Sequence, residues 1–263
     1  MPPLSLHTSL ARRIAERLRT AVLDDERGNL YLGATAPDIR VITRWERART
    51  HFFNLNDFEH QDAVAAFFDA NPSLTDADAV SPPTCAFVAG YISHLVMDAN
   101  WIDHIYRPFF GRDSKLGGDL RANILDRAMQ FSLDSDTRDD DELMADVTAA
   151  VARCDLELEI DFIDKESLRK WRQVVSDFAK TRPDWDRFKS RIRRHLADTA
   201  DDTEGEGEGE GEGEGEQLAE LARSLPDLVD ETLRYLSRER LNEWMDESLD
   251  ESVTAVRGYL QCA

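Results

Sequence analysis

Apolar residues recur at intervals of three and four along most of this chain, the spacing that lines one face of an α-helix. In HTSLARRIAERLRTAVL, residues 7 to 23, His7, Leu10, Ala11, Ile14, Leu18 and Val22 share one face, while Arg12, Arg13, Arg17 and Arg19 lie elsewhere. That pattern predicts a first helix packed on a core. The stretch from Pro82 to Gly111 predicts a long apolar helix, opened by Ser81 and the first-turn prolines Pro82 and Pro83 and limited by Pro108. Phe87, Gly90, Tyr91, His94, Asp98, Trp101 and Ile105 fall along one line of it. Segments 118–132, 138–154, 166–180 and 184–198 repeat the helical spacing, and residues 217 to 261 return to it, with Pro226 breaking the run. Between the first two helices, Gly33, Ala34, Ala36 and Pro37 mark a loop that carries Asp38. DLELEIDFID, 155 to 164, alternates instead and fits either a short strand or an extended link. The expected fold class is all-α.

Composition changes abruptly at Asp201, where DDTEGEGEGEGEGEGEQ joins charge repulsion to backbone freedom and predicts an acidic, low-complexity surface loop. The expected organisation is a helical domain over 1–200, a Glu/Gly linker over 201–216, and C-terminal helices over 217–263 that pack back on the body. Alone, those last helices would bury little core. Acids outnumber bases by 53 to 32, a net charge of −21 spread along the whole chain, and the bases are nearly all arginine. This resembles proteins of salt-loving organisms and argues against a nucleic-acid surface. The basic run RFKSRIRRH, 187 to 195, reads as the positive end of a helix. No secretory leader and no run of about 20 apolar residues is visible, so a soluble, cytoplasmic protein is expected. Cys85, Cys154 and Cys262 are far apart and odd in number, which implies reduced thiols. There is no G-x-S-x-G elbow, no P-loop, no dinucleotide G-x-G-x-x-G and no C-x-x-C.

Against this helical background a few polar residues stand on apolar faces. His94 and Asp98 are four apart, so their side chains reach one ion or each other. A carboxylate on an apolar face is costly unless paired or bound to a cation, and imidazole with carboxylate is a normal ligand set for zinc. A plain hydrogen bond between the two would also satisfy them. His7 opens the buried face of the first helix, and His51 leads into Phe52 and Phe53. Taken singly, Asp38 also reads as a turn cap and His51 as a satisfied core histidine.

Taken in order, His7, then L-G-A-x-A-P-D ending at Asp38, then T-H-F with His51, then G-Y-x-x-H-x-x-x-D with His94 and Asp98, the series resembles the zinc-dependent phospholipase C family. The resemblance covers residues 1 to 111. It implies an all-helical domain in which His7, Asp38, His51, His94 and Asp98 hold one or two Zn²⁺, with Asp98 the bridge. His104 matches a family spacing for a further zinc, but the remaining ligands of that third site have no counterparts. Secreted members also use a processed terminal amine, which leaves one metal short of a donor unless water or His60 supplies it. The implied activity is phosphodiester hydrolysis by metal-activated water, with Asp38 orienting or deprotonating that water. A phospholipid head group is the implied substrate, and another phosphoester, single-stranded nucleic acid included, the nearest variant. Tyr91, Trp101, Phe52 and Phe53 are either cleft lining or core. The competing expectation is a non-catalytic protein of the same fold with a structural metal or a polar core. The carboxylate-rich, open ligand set favours the enzyme, because structural zinc sites are usually closed by four Cys/His ligands.

Overall fold

A computed structural model of the chain describes residues 2–54, 57, 59, 61–184 and 225–261, without side chains at 225–228 and 231. Every regular element among them is helical, as the apolar spacing predicts. In chain order these are α1 (Leu4–Leu18), α2 (Ala21–Asp25), α3 (Arg27–Thr35), a 3₁₀ turn (Ala36–Ile39), α4 (Arg40–Thr43) and α5 (Arg47–His51). Next come α6 (Ala63–Ala70), α7 (Pro82–Trp101), α8 (Leu120–Arg138), α9 (Asp141–Arg153), α10 (Lys165–Lys180), α11 (Leu225–Tyr235) and α12 (Arg238–Gln261).

Helix α7 is the axis of the fold. Every residue from Thr84 to Leu95 is buried, so the single apolar stripe expected from the sequence is really a helix covered on all sides. α3 and α12 make its largest contacts, and α1 and α6 add to them. The α3–α7 crossing depends on two glycines. A Cβ on Gly33 would sit 2.0 Å from the Phe87 carbonyl oxygen, and one on Gly90 would sit 2.1 Å from that of Leu30. Gly33 and Ala34 therefore lie inside α3 and allow backbones to touch, which corrects their reading as loop markers. The turn proper is confined to Ala36–Ile39, with Pro37 in its first positions.

The long helix also differs at both ends. The Ser81 hydroxyl lies 2.9 Å from the Thr84 hydroxyl instead of capping a backbone N–H. Past Trp101 the chain continues in wider, π-helical turns from Ile102 to Phe110 with Pro108 inside them. Winding of this width tolerates a ring without an N–H, so Pro108 does not end the helix as expected. The 155–164 stretch is an extended link. Asn29 Nδ2 donates to the Asp155 carbonyl at 2.7 Å, the Glu159 N–H donates to Thr84 Oγ1 at 3.0 Å, and Leu158 and Ile163 are buried.

Helices α11 and α12 return to the body, α11 against α8 and α12 against α7 and α1. The Trp101 and Trp244 rings meet edge to face at 4.9 Å, and Arg13 and Arg17 pair with Asp246 and Asp250 at 2.7 and 2.6 Å. Pro226 sits in the first turn of α11, where its missing N–H costs nothing, and the residues before Leu225 in the expected run, 217–224, lie outside the described residues. The basic run, the Glu/Gly segment, His60, Cys262 and nearly all of the helix expected over 184–198 lie outside the described residues. Cys85 and Cys154 are free and buried. No helix among the described residues is long and apolar enough to cross a membrane.

Candidate metal centre

Four pieces of backbone bring five polar side chains to one place in this core. α1 supplies His7 from its second turn, and α7 supplies His94 and Asp98 from adjacent turns. The 3₁₀ turn after α3 supplies Asp38, and α5 ends on His51. Directly after it, Phe52 adopts a left-handed conformation (φ 53°) that stops the helix. His7, His51 and His94 are each at most 1 % exposed, and Asp98 is 3 % exposed.

The contacts within the cluster share a narrow range of lengths. His7 Nε2 lies 3.6 Å from Asp98 Oδ1, while His94 Nε2 and His51 Nε2 lie 3.5 and 3.4 Å from Asp98 Oδ2. His51 Nε2 is also 3.6 Å from Asp38 Oδ1. These separations are too long for good hydrogen bonds. Two donors each about 2.0–2.2 Å from one tetrahedral ion lie about 3.4 Å apart, which is the spacing seen. Both nitrogens of His7, Nε2 of His51, Nε2 of His94 and Oδ1 of Asp98 are buried with no hydrogen-bond partner. Buried polar atoms are almost always paired, so Nε2 of the three histidines and Oδ1 of Asp98, facing one another unpaired, mark a position suited to a cation. Two groups of donors lie close enough to share an ion: His7, His94 and Asp98, and Asp38, His51 and His94. Asp98 turns Oδ1 toward His7 and Oδ2 toward His51 and His94.

Two of the three outward nitrogens have hydrogen-bond neighbours. His94 Nδ1 lies 2.8 Å from the Ala34 carbonyl, which only accepts, so Nδ1 carries a proton and Nε2 is the nitrogen that faces the cluster. His51 Nδ1 lies 2.8 Å from Thr50 Oγ1, and the Thr50 carbonyl in turn accepts from the Tyr91 hydroxyl at 2.5 Å. The His7 ring stacks on that of His94 with centroids 3.8 Å apart and planes within 13°. Arg47 reaches in from α5, its guanidinium donating to Asp98 Oδ2 at 3.1 Å.

Electrostatics follow from this crowding. Burial, reinforced by His94, holds His7 below the ordinary imidazole range, and burial pushes His51 down to about 4. Burial acts the same way on His94, but Asp98 and Asp38 outweigh it and raise that imidazole. Burial opposes ionisation of both carboxylates, yet His94 and His7 hold Asp98 well below its usual range, and His51 and His94 hold Asp38 low. Two ionised carboxylates and two neutral imidazoles therefore stand ready as ligands near neutral pH.

The other residues singled out from the sequence lie elsewhere. His104 is away from the cluster, with Nδ1 3.6 Å from Glu247 on α12 and a side chain 40 % exposed, so it joins neither donor group. Trp101 is fully buried, its indole N–H donating to Asp126 at 3.1 Å, and Tyr91 and Phe53 are also core, so none lines an open cleft. Arg47, Thr50 and the Ala34 carbonyl had no place in the sequence reading. Of these only Arg47 left a signal, its placement four residues before His51 on one short helix.

An all-helical body with a buried His/Asp cluster of this kind defines a metal-binding helical protein of the zinc class. The family model described as zinc-dependent phospholipase C matches residues 6–205, and the chain belongs to that family. The match runs well past residue 111, where the resemblance read from the motifs alone stopped. No curated protein and no solved structure matches the chain.

Proposed function

We propose that this chain is a zinc-dependent phosphodiester hydrolase that acts on phospholipid head groups, with His7, Asp38, His51, His94 and Asp98 as metal ligands. The observation that carries the reading is the set of unpartnered donor atoms turned toward one another inside a dry core. Bound zinc supplies Lewis-acid polarisation of a phosphoryl oxygen and brings the pKa of a bound water toward about 7. The protein's own groups then divide the remaining work. Asp38 has the most exposed side chain of the five, at 16 %, and its ionised carboxylate is placed to orient the attacking water and accept its proton. Arg47, 13 % exposed beside it, offers a guanidinium to the non-bridging phosphate oxygens. The Ala34 carbonyl keeps a proton on Nδ1 of His94 and so directs Nε2 to the metal, and metal binding there releases the second proton that the carboxylates favour.

A second reading has an observation in its favour: the three histidines are closed off from solvent and Arg47 covers Asp98, which suits a purely structural metal. Hydrolysis of a soluble chromogenic phosphodiester by zinc-loaded protein separates the two. Turnover that falls at least about a hundredfold in Asp38→Asn supports the hydrolase. Stoichiometric zinc with no turnover on any phosphodiester favours the structural metal and ends the enzymatic reading.

A further inference from the structure

Helix α4 is unusual in this protein because it buries none of its residues. Val41 on it is 62 % exposed and Ile42 37 %. Among the described residues only Leu120 joins them as an exposed large hydrophobic. Trp45 follows, partly buried, with the Arg49 guanidinium 3.7 Å above its ring and the Arg40 side chain donating to its carbonyl at 3.4 Å. The run from Arg40 to Arg49 holds four arginines and one glutamate, in a chain whose net charge is −21. Arg40, Arg44 and Arg49 form no ion pair with a carboxylate among the described residues, whereas Arg12, Arg13 and Arg17 on α1 all do. Arg49 also donates to the Phe162 carbonyl at 3.3 Å, so the three guanidiniums keep their charge without an acidic partner among the described residues. An exposed aliphatic pair flanked in sequence by such uncompensated positive charge, on an acidic molecule, suits a partner that is apolar and anionic together.

The same stretch carries two side chains of the metal centre. Asp38 and Arg47 are its partly exposed members, at 16 % and 13 %, and α4 lies between them in sequence. We propose that residues 38–49 are an interfacial docking surface that seats on an anionic phospholipid bilayer, with Val41, Ile42 and Trp45 entering the head-group layer and Arg40, Arg44 and Arg49 meeting lipid phosphates. The acidic remainder of the surface is repelled by such a bilayer, so the molecule settles with this face down and presents a lipid phosphate to Asp38 and Arg47. Exposed branched aliphatic side chains favour lipid over single-stranded nucleic acid, which is held by aromatic platforms along a basic groove. The proposal names the surface that delivers substrate and so rests on the hydrolase reading.

Vesicle sedimentation tests it, with phosphatidylglycerol and phosphatidylcholine vesicles, zinc-loaded full-length protein, a Val41→Asp/Ile42→Ser double variant and a Leu120→Ser control. These positions are exposed, so helicity and zinc content should match wild type. Expected are preferential sedimentation with phosphatidylglycerol, a loss of about tenfold or more in the double variant, and no change in the control. Raising salt should weaken the binding partly, because the arginines are screened while the apolar contribution remains. Wild-type protein that stays in the supernatant, equal binding by the double variant, or binding to single-stranded nucleic acid instead of vesicles would overturn the proposal. Protein that hydrolyses soluble phosphodiesters but ignores vesicles sinks the docking surface alone. Protein that docks through Val41 and Ile42 yet hydrolyses nothing upholds the surface and sinks the hydrolase.

Discussion

His51 shows how burial prepares a ligand. Held at about 4, its imidazole is neutral in the folded chain at pH values where an unfolded histidine, near 6.5, takes up a proton. Its folded pKa is depressed, so its contribution to stability is present above 6.5 and is lost as pH falls from 6.5 toward 4. His7 shifts in the same direction, while His94, raised, contributes its full share throughout that window and loses it only above its own pKa. Metal-free protein should therefore lose stability on acidification between 6.5 and 4, on the order of 3 kcal/mol from His51 alone. Calorimetry in chelator would show a falling Tm and a shallower fall for His51→Asn, and a flat profile in the wild type would contradict the buried neutral imidazole. The residues of the cluster were legible in the sequence because histidine and aspartate on apolar faces are rare enough to stand out. The Ala34 carbonyl and Thr50 were not, since a backbone acceptor leaves no mark on residue type. Arg47 was read past because a lone arginine in a basic stretch looks like surface.

Among the elements, α7 carries most of the argument and was the easiest to find, being long, apolar and opened by prolines. Its surroundings were harder to read. Small residues in G-A-T-A-P suit a turn or a tight crossing equally, and only the partner helix decides between them. With the Gly90 Cβ position 2.1 Å from the Leu30 carbonyl oxygen and 2.6 Å from the Ala34 N, backbone would have to move to admit a methyl group. Gly90→Ala should cost roughly 3 kcal/mol, the upper end of overpacking, and displace the Ala34 carbonyl from His94. Chemical denaturation would read the first effect and a weakened zinc affinity the second. Unchanged stability would mean that the crossing is looser than described. The link at 155–164 was ambiguous for a related reason, since alternation records which side chains face inward and says nothing of whether another strand lies alongside. Its backbone bonds to the rest of the molecule include those with the Asn29, Thr84 and Arg49 side chains.

For the molecule as a whole, an acidic surplus of this size makes the compact state repel itself at low ionic strength. At molar salt the Debye length falls to about 3 Å, so Tm should rise from dilute buffer to molar salt and helicity should decline without it. A sharp melt with full helicity in dilute buffer would rule out salt dependence. Membership of the zinc-dependent phospholipase C family rests on residues 6–205, and the C-terminal helix α12 lies against α1 and α7, which carry three of the five proposed ligands. The central claim is that the orphaned His and Asp atoms await a metal. Metal content by mass spectrometry, on protein purified in high salt without chelator and then offered zinc, tests it most directly when wild type is set beside Asp98→Asn. The account predicts one or two zinc equivalents in the wild type and their loss in a variant that keeps its helicity. Well-folded wild-type protein that takes up no stoichiometric metal would show the cluster to be a polar core and contradict the account.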